Sequence, residues 1–340
     1  MRLLFASLLS LSSASLIDVF KAGVGGYACY RIPSLLVDTT SVSVLYAFAE
    51  GRRFSCADHG WNDIVMSKSV DGGATWSSVT VVHGESNSTH SVTIGNPAPV
   101  LLGPGIILMP FCRENLAAGF VRSTDGGAHW SAAEPLPNFV LPKGVTWIAT
   151  GPPGSVRLSS GRLVVPMDIM ATGIAYSSGA LLSDDDGQTW RLSALVLGGN
   201  EAQAVALPWK SPNSLHLSMR NAVGATRLGA ESTDGGVTWS APWKTIAETQ
   251  CEGSVTALAS APGGPLLVLS SAFSSKRQNM TIHTSADDGH TWEPRVTVYA
   301  GAAAYSSIVS LDGTGGNETT VGLLFEADGY MRISFTPVSV

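Results

Sequence analysis

Apolar and polar positions alternate along this chain in short bursts, without the three-to-four spacing of a helix. In Leu215-His-Leu-Ser-Met-Arg220, Leu215, Leu217 and Met219 share one face of a strand and His216, Ser218 and Arg220 the other. Arg162-Leu-Val-Val-Pro166 and Leu266-Leu-Val-Leu-Ser270 are apolar runs bounded by turn residues, again the pattern of strands. The chain is predicted to be all-β. Its 37 glycines and 18 prolines suit the many tight turns such a fold needs.

A signature, Ser-x-Asp-x-Gly-x-Thr-Trp, punctuates these bursts. It occurs at Ser69–Trp76, Ser123–Trp130, Ser183–Trp190, Ser232–Trp239 and Ser285–Trp292, and the second copy alone departs, with His129 in place of Thr. The copies recur roughly every 50–60 residues, enough chain for one four-stranded propeller blade. Each copy reads as a hairpin turn: Asp accepts turn amides, Gly supplies positive φ, and Thr and Trp are expected to start the next strand, the ring packing into the blade. These aspartates are turn-formers and are set aside as catalysts. Residues 16–340, about 325 in all, then divide into six blades of about 54 each, one of them without the signature. Residues after Trp292 supply part of that blade. The ring is expected to close by strand pairing between the termini, near Phe20 or Val338. The expected fold is a single domain, a six-bladed β-propeller with four antiparallel strands per blade.

Composition narrows the function. The chain is 44% hydrophobic and 14% charged, with a net charge of −6 and no basic stripe, which argues against a nucleic-acid partner. Arg2, the apolar stretch Leu3 to Leu11 and the small residues Ser12 to Ser15 form a secretory signal over residues 1–15, too short to span a bilayer. No second apolar segment reaches membrane-spanning length, so the expected location is secreted or lumenal. Sequons at Asn87, Asn279 and Asn317 fit that route. Cys29, Cys56, Cys112 and Cys251 are too few for a disulfide scaffold and lack zinc-site spacing. Cys29 and Cys56 flank the first hairpin, and a pair or two buried thiols are both open. No cofactor or metal is expected: Gly23-Val-Gly25-Gly26 lacks the strand, helix and lysine of a phosphate loop. No pattern bears on oligomeric state.

Against this low-charge background a few charges sit inside apolar strands. Arg31 lies in Tyr30-Arg-Ile-Pro-Ser-Leu-Leu36, Arg220 ends its strand, and Arg277 precedes the strand Met280 to His283. Glu326 ends Val321-Gly-Leu-Leu-Phe-Glu326, and Glu201 opens Glu201-Ala-Gln-Ala-Val-Ala-Leu207. Unpaired charges at such places cost several kcal/mol. Together they are expected to meet one another, or a ligand, at one end of the strands.

The motifs Tyr30-Arg-Ile-Pro33, Phe48-Ala-Glu-Gly-Arg52, Asn96-Pro-Ala-Pro99, Asn200-Glu-Ala-Gln203, Met219-Arg-Asn221, Arg277, Ala304-Tyr-Ser306 and Leu324-Phe-Glu326, with the five repeats, occur in the order found in one family. Over nearly all of residues 16–340 the chain resembles the exo-α-sialidases. The resemblance implies that Arg31, Arg220 and Arg277 grip a sialic acid carboxylate, for which guanidinium forks are suited. Glu326 would fix Arg31. Tyr305 matches the nucleophile and Glu201 its base, the tyrosine exception among retaining glycosidases. Asp58 matches the general acid/base, with Asp63 its competitor in the same stretch. Arg52 and Asn96 match pocket-lining positions. Ser306-Ser307 suggests a turn after Tyr305, and the charges of Cys112-Arg-Glu-Asn115 are candidates for the N-acyl pocket. The implied partners are sialylated glycans: glycoproteins, gangliosides and oligosaccharides. Two rivals stand beside hydrolysis, a trans-sialidase and a non-catalytic glycan-binding propeller. The full set Asp58, Tyr305 and Glu201 favours chemistry over the second.

Overall fold

The computed structural model describes residues 16–38, 41–311 and 319–340. The signal segment 1–15 and the sequon at Asn317 lie outside the described residues. Every named element is a strand, as the alternation requires, and among the described residues no helix is long and apolar enough to cross a membrane. Strand β1 is Ile17–Lys21; a first antiparallel sheet follows, β2 (Cys29–Asp38), β3 (Ser41–Arg52), β4 (Asn62–Ser69) and β5 (Thr80–His83). The second holds β6 (Ile94–Gly95), β7 (Val100–Gly103), β8 (Ile106–Arg113), β9 (Ala117–Ser123) and β10 (Glu134–Pro135). The third holds β11 (Val145–Thr150), β12 (Val156–Arg157), β13 (Leu163–Ala171), β14 (Ile174–Ser183), β15 (Arg191–Leu192) and β16 (Val196–Leu197). The fourth is β17 (Gly199–Ala206), β18 (Leu215–Asn221), β19 (Thr226–Ser232) and β20 (Trp243–Ala247). The last sheet joins β21 (Gly253–Leu258), β22 (Leu266–Ala272), β23 (Gln278–Ser285), β24 (Glu293–Ser310), β25 (Thr320–Ala327) and β26 (Arg332–Ser339) to β1.

The apolar faces explain why these sheets form a ring. Phe48 packs with Met109 between the first and second sheets, Phe120 with Ile169 between the second and third, and Leu182 with Leu217 between the third and fourth. Val205 meets Leu269 at the next junction, and Val268 and Ile282 meet Leu323 and Phe325 within the last sheet. Phe20 and Phe335 then pack with Leu45 of the first sheet, closing the circuit. The N-terminal strand seals it as expected: β1 pairs antiparallel with β26, Phe20 opposite Ile333. The arrangement is propeller-like.

The repeated signature does its work at the turns after β4, β9, β14, β19 and β23. Ser69 Oγ donates to Asp71 Oδ1 at 2.8 Å, and Gly73 N donates to Ser69 Oγ at 2.8 Å. Asp71 accepts from Thr75 N at 2.9 Å and Thr75 Oγ1 at 2.6 Å. In the second copy His129 Nδ1 takes the place of the threonine hydroxyl, 2.7 Å from Asp125 Oδ2. The Trp rings act between sheets: Trp76 sits edge-on against Phe335 and Trp130 against Phe48. Gly73 has φ +91°, and a Cβ there would overlap the Phe335 ring. Thr and Trp do not start the next strand: β15 and β24 begin directly after Trp190 and Trp292, and after Trp76, Trp130 and Trp239 the next strand begins at Thr80, Glu134 and Trp243. Both residues are spent on the turn, Thr on the aspartate and Trp on the glycine carbonyl.

These turns predict acid sensitivity. Hydrogen bonds from the Thr75 side chain and amide hold Asp71 down at about 2, and the His129 amide and ring do the same for Asp125. A carboxyl depressed in the folded state contributes stability that is fully present above its unfolded value, about 4. That contribution is lost as pH falls through about 2. The urea midpoint is therefore expected to drop between about pH 4 and pH 2, and to drop less steeply in Asp71→Asn. An unchanged slope in the variant would remove Asp71 from the effect.

Candidate active site

The strand ends bring the isolated charges together, as their placement in apolar runs demands. Arg31 on β2, Arg52 on β3, Glu201 on β17, Arg220 on β18, Tyr305 on β24 and Arg277 just before β23 line one cavity of about 310 Å³. Asp58 and Asn96 line it from loops. Glu326, on β25, lies beneath it and is 1% exposed.

The cations differ in how they are held. Arg31 Nε donates to Glu326 Oε1 at 2.6 Å, and Nη2 donates to Oε2 at 3.3 Å. The ladder is interrupted by a bulge after Arg31, where Ile32 takes φ 57°, rare for a β-branched residue. The bulge turns the Ile32 amide onto Glu326 Oε1, at 2.9 Å, and Tyr305 N reaches Oε2 at 3.1 Å. One carboxylate thus fixes Arg31 and the backbone of Tyr305 together. Arg220 Nη1 donates to Glu201 Oε2 at 2.8 Å. Arg277 forms no ion pair among the described residues; its Nη1 donates to Tyr330 Oη at 3.0 Å. Arg277, with no carboxylate partner among the described residues, leaves a guanidinium free for an anionic ligand.

Tyr305 stands between these groups. Its hydroxyl donates to Glu201 Oε1 at 2.6 Å and accepts from Arg220 Nη1 at 3.0 Å. Arg31 and Arg277 flank the ring, at 5.1 and 5.4 Å from its centroid. Burial, then the Glu201 charge, pushes the phenol well above its ordinary pKa, with Arg220 and Arg31 pulling the other way. The unliganded site therefore keeps the proton on Tyr305, aimed at Glu201. The expected turn at Ser306-Ser307 is not there. Both residues are buried inside β24, Ser306 Oγ bonded to Ser270 Oγ at 2.9 Å and Ser307 Oγ accepting from Leu35 N at 2.9 Å. Small hydroxyls let the strand pack tightly where a turn would leave it exposed.

Asp58 and Asp63 separate cleanly. Asp63 accepts from Tyr27 Oη at 2.7 Å and Trp61 Nε1 at 3.1 Å, buried away from the cavity. Asp58 faces the cavity, its side chain 76% exposed, and accepts from Arg52 Nη1 at 2.8 Å, with Arg31 Nη1 at 3.7 Å. Partial burial works to raise its pKa but is outweighed by the hydrogen bond and charge of Arg52 and the charge of Arg31, so it is lowered. Arg52 is aimed by Glu50, whose Oε2 accepts from its Nε and Nη2 at 3.0 and 2.8 Å. Glu50 Oε1 accepts from Asn96 N at 2.8 Å. Glu50 was not singled out from the sequence, although it too follows an apolar run, Val44 to Ala49, the signal that marked Glu326.

Uncharged polar residues form the remaining wall: Thr93, Asn115, Trp147, Tyr176, Asn200 and Gln250. Of Cys112-Arg-Glu-Asn115 only Asn115 reaches the cavity. Arg113 pairs with Glu85 outside it at 2.7 Å, and Glu114 caps the Thr93 amide. The charges of that stretch are therefore not the pocket's. Behind the wall, fully buried Asp168 accepts from Trp147 Nε1 at 3.0 Å and Asn200 Nδ2 at 3.1 Å, and burial followed by the Glu201 charge raises its pKa well above normal. Neither cysteine question remains open: Cys29 and Cys56 form a disulfide, and Cys112 and Cys251 are buried thiols.

Residues 43–317 match the BNR repeat-like domain family. A Bacteroides fragilis sialidase is 27% identical over 92% of this chain and 62% of its own length. A Micromonospora viridifaciens sialidase is 28% identical over 91% of this chain and 51% of its own. The chain thus spans between half and two thirds of these relatives. A Hadza microbial sialidase shares the fold, with a TM-score of 0.85 and 24% identity, covering 96% of this chain and 68% of that one. The chain belongs to the sialidase family built on BNR repeats.

Proposed function

We propose that this protein is a retaining exo-α-sialidase that removes terminal sialic acids from glycoproteins, glycolipids and oligosaccharides. The observation that carries the reading is the buried Tyr305 hydroxyl held at 2.6 Å from Glu201 amid three arginines. The substrate carboxylate docks on Arg31, Arg220 and Arg277, placing the anomeric carbon over Tyr305. An anionic carboxylate nucleophile would be repelled by that substrate carboxylate; a neutral phenol is not. As Tyr305 Oη bonds to the anomeric carbon its proton passes to Glu201, and Asp58 protonates the departing glycosidic oxygen. Docking an anion on Arg31 cancels part of the positive field at Asp58, raising its pKa toward that task. Asp58 then takes a proton from water, which attacks the tyrosyl-sugar and returns the phenol. Arg52 and Asn96 serve the ring substituents.

The ring is read as six blades. Strand β24 changes partner, from β23 through Ala302 to β25 from Ala303, which supports dividing the last sheet into two blades of four strands. The Cys29–Cys56 disulfide supports passage through an oxidising compartment, in line with a secreted or lumenal location.

The test is hydrolysis of an aryl α-sialoside followed by proton NMR. Release of aglycone with the α-anomer of the free sugar formed first is the expected outcome. First formation of the β-anomer would rule out the tyrosyl intermediate, and binding without turnover would leave a glycan-binding propeller.

A further inference from the structure

Asp58 sits on a segment that little else restrains. Residues 53 to 59 are exposed throughout, so no apolar burial holds them. The base of the loop is closed by Arg53 N donating to Trp61 O at 2.9 Å, and Phe54 meets Trp61 edge-on. At the tip, the Asp58 carbonyl accepts from Asn62 Nδ2 at 2.9 Å, and Cys56 O accepts from Arg52 Nη1 at 2.6 Å. The one covalent tie there among the described residues is the Cys56–Cys29 disulfide. Cys29 is fully buried at the start of β2, two residues before Arg31. The disulfide therefore joins the segment bearing Asp58 to the strand bearing a carboxylate-binding arginine. The same Arg52 Nη1 that holds Cys56 O also holds Asp58 Oδ1, so displacing Cys56 disturbs the carboxylate directly.

We propose that the Cys29–Cys56 disulfide is a positioning element for proton donation: it holds Asp58 at the height of the departing oxygen, and its reduction selectively disables the acid step. The proposal rests on the assignment of Asp58 as the general acid. Tyr305, Glu201, Arg220 and Arg277 are carried by strands the disulfide does not touch, and Arg31, on the tethered strand, is fixed independently by Glu326. Reduction by a dithiol such as dithiothreitol delivers two electrons and two protons to the disulfide, giving two thiols and the oxidised cyclic reagent. The loop is then left with its hydrogen bonds, the Phe54–Trp61 contact and the ion pairs of Asp58, none of them covalent.

Leaving-group dependence distinguishes positioning from general stabilisation. A nitrophenolate departs without a proton, whereas the sugar alkoxide of sialyllactose needs one. We would measure kcat/KM, which reports steps up to the first bond cleavage, for wild type, dithiothreitol-reduced wild type, Cys56→Ser and Asp58→Asn. On sialyllactose Cys56→Ser and the reduced enzyme are expected to fall by about tenfold to a hundredfold. The fall on 4-nitrophenyl sialoside is expected to be much smaller, with Asp58→Asn showing the same split at larger amplitude. Equal falls on both substrates, or none on sialyllactose, would overturn the proposal. Should Cys56→Ser not fold, the reduced wild type decides by the same comparison. If Asp58→Asn shows no split, the acid assignment fails and the disulfide's role fails with it. A wild type inert toward both substrates would instead defeat the sialidase reading itself.

Discussion

Tyr305→Phe is expected to lower kcat on an aryl sialoside by at least about a thousandfold, with KM within a few-fold of wild type and the melting temperature little changed. The substitution deletes one oxygen from a side chain that is 6% exposed and leaves the ring in place. The ring keeps its position beside Arg31 and Arg277, so the cations proposed to receive the substrate carboxylate stay where they are. Glu201 and Arg220 lose a shared partner but retain their own contact at 2.8 Å. What disappears is the atom proposed to form the covalent bond. The phenol's proton is held firmly in the free protein, since burial and the Glu201 charge oppose ionisation. In the proposed mechanism nucleophilicity arises as the proton passes to Glu201 along their 2.6 Å hydrogen bond during attack, with Arg220 stabilising the developing phenolate. A residual kcat within tenfold of wild type would mean another group attacks the sugar. A large rise in KM or a collapse in melting temperature would mean that Tyr305 serves packing.

From the residues alone, the legible parts of this site were those that violate strand chemistry, whereas Tyr305, Asp58, Arg52 and Asn96 were named by the resemblance. A Glu or Arg inside an apolar run has to be paired, which is why Arg31, Arg220, Glu201 and Glu326 stood out and why they converge in space. The turn signatures were legible for a similar reason, each residue having one task in a tight loop. Residues that suit a strand equally well with or without a ligand were silent. Trp147, Tyr176 and Asn200 belong on any half-buried sheet, and only the ring brings them to one wall. Ser306 and Ser307 misled because serine is common in turns, and their burial depends on the partners Ser270 and Leu35, which lie far away in sequence. Cys29 and Cys56 could be paired or free until the hairpin's geometry set their Cα atoms 5.2 Å apart. Asp58 and Asp63, five positions apart, were separated by which of them finds a tyrosine and a tryptophan to satisfy it.

The three arginines are not equivalent, and alanine substitutions are expected to show it. Arg220→Ala removes a carboxylate donor and also strips Glu201 and Tyr305 of a common partner. Arg220 and Glu201 are only partly buried, their side chains 21% and 11% exposed. Truncating one is therefore expected near the lower end of the about 2–5 kcal/mol that breaking a buried, hydrogen-bonded charge pair costs, much of it from the charge left behind. Here that residue is Glu201, the proposed base, left without the cation that neutralises one of its oxygens. Both KM and kcat are therefore expected to suffer, with kcat/KM down by at least about thirtyfold. Arg277→Ala leaves no carboxylate stranded, because Arg277 has no ion-pair partner among the described residues and its hydrogen bond runs to the Tyr330 hydroxyl. In the proposed docking its loss removes charge-assisted bonds to the substrate of about 1.5–3 kcal/mol, which should appear as a tenfold to hundredfold rise in KM at nearly constant kcat. Steady-state kinetics on one aryl sialoside resolves the two cases. If Arg277→Ala loses kcat as heavily as Arg220→Ala, then Arg277 acts in the transition state as well as in docking. If Arg220→Ala changes KM alone, its contact with the tyrosine hydroxyl has no part in turnover.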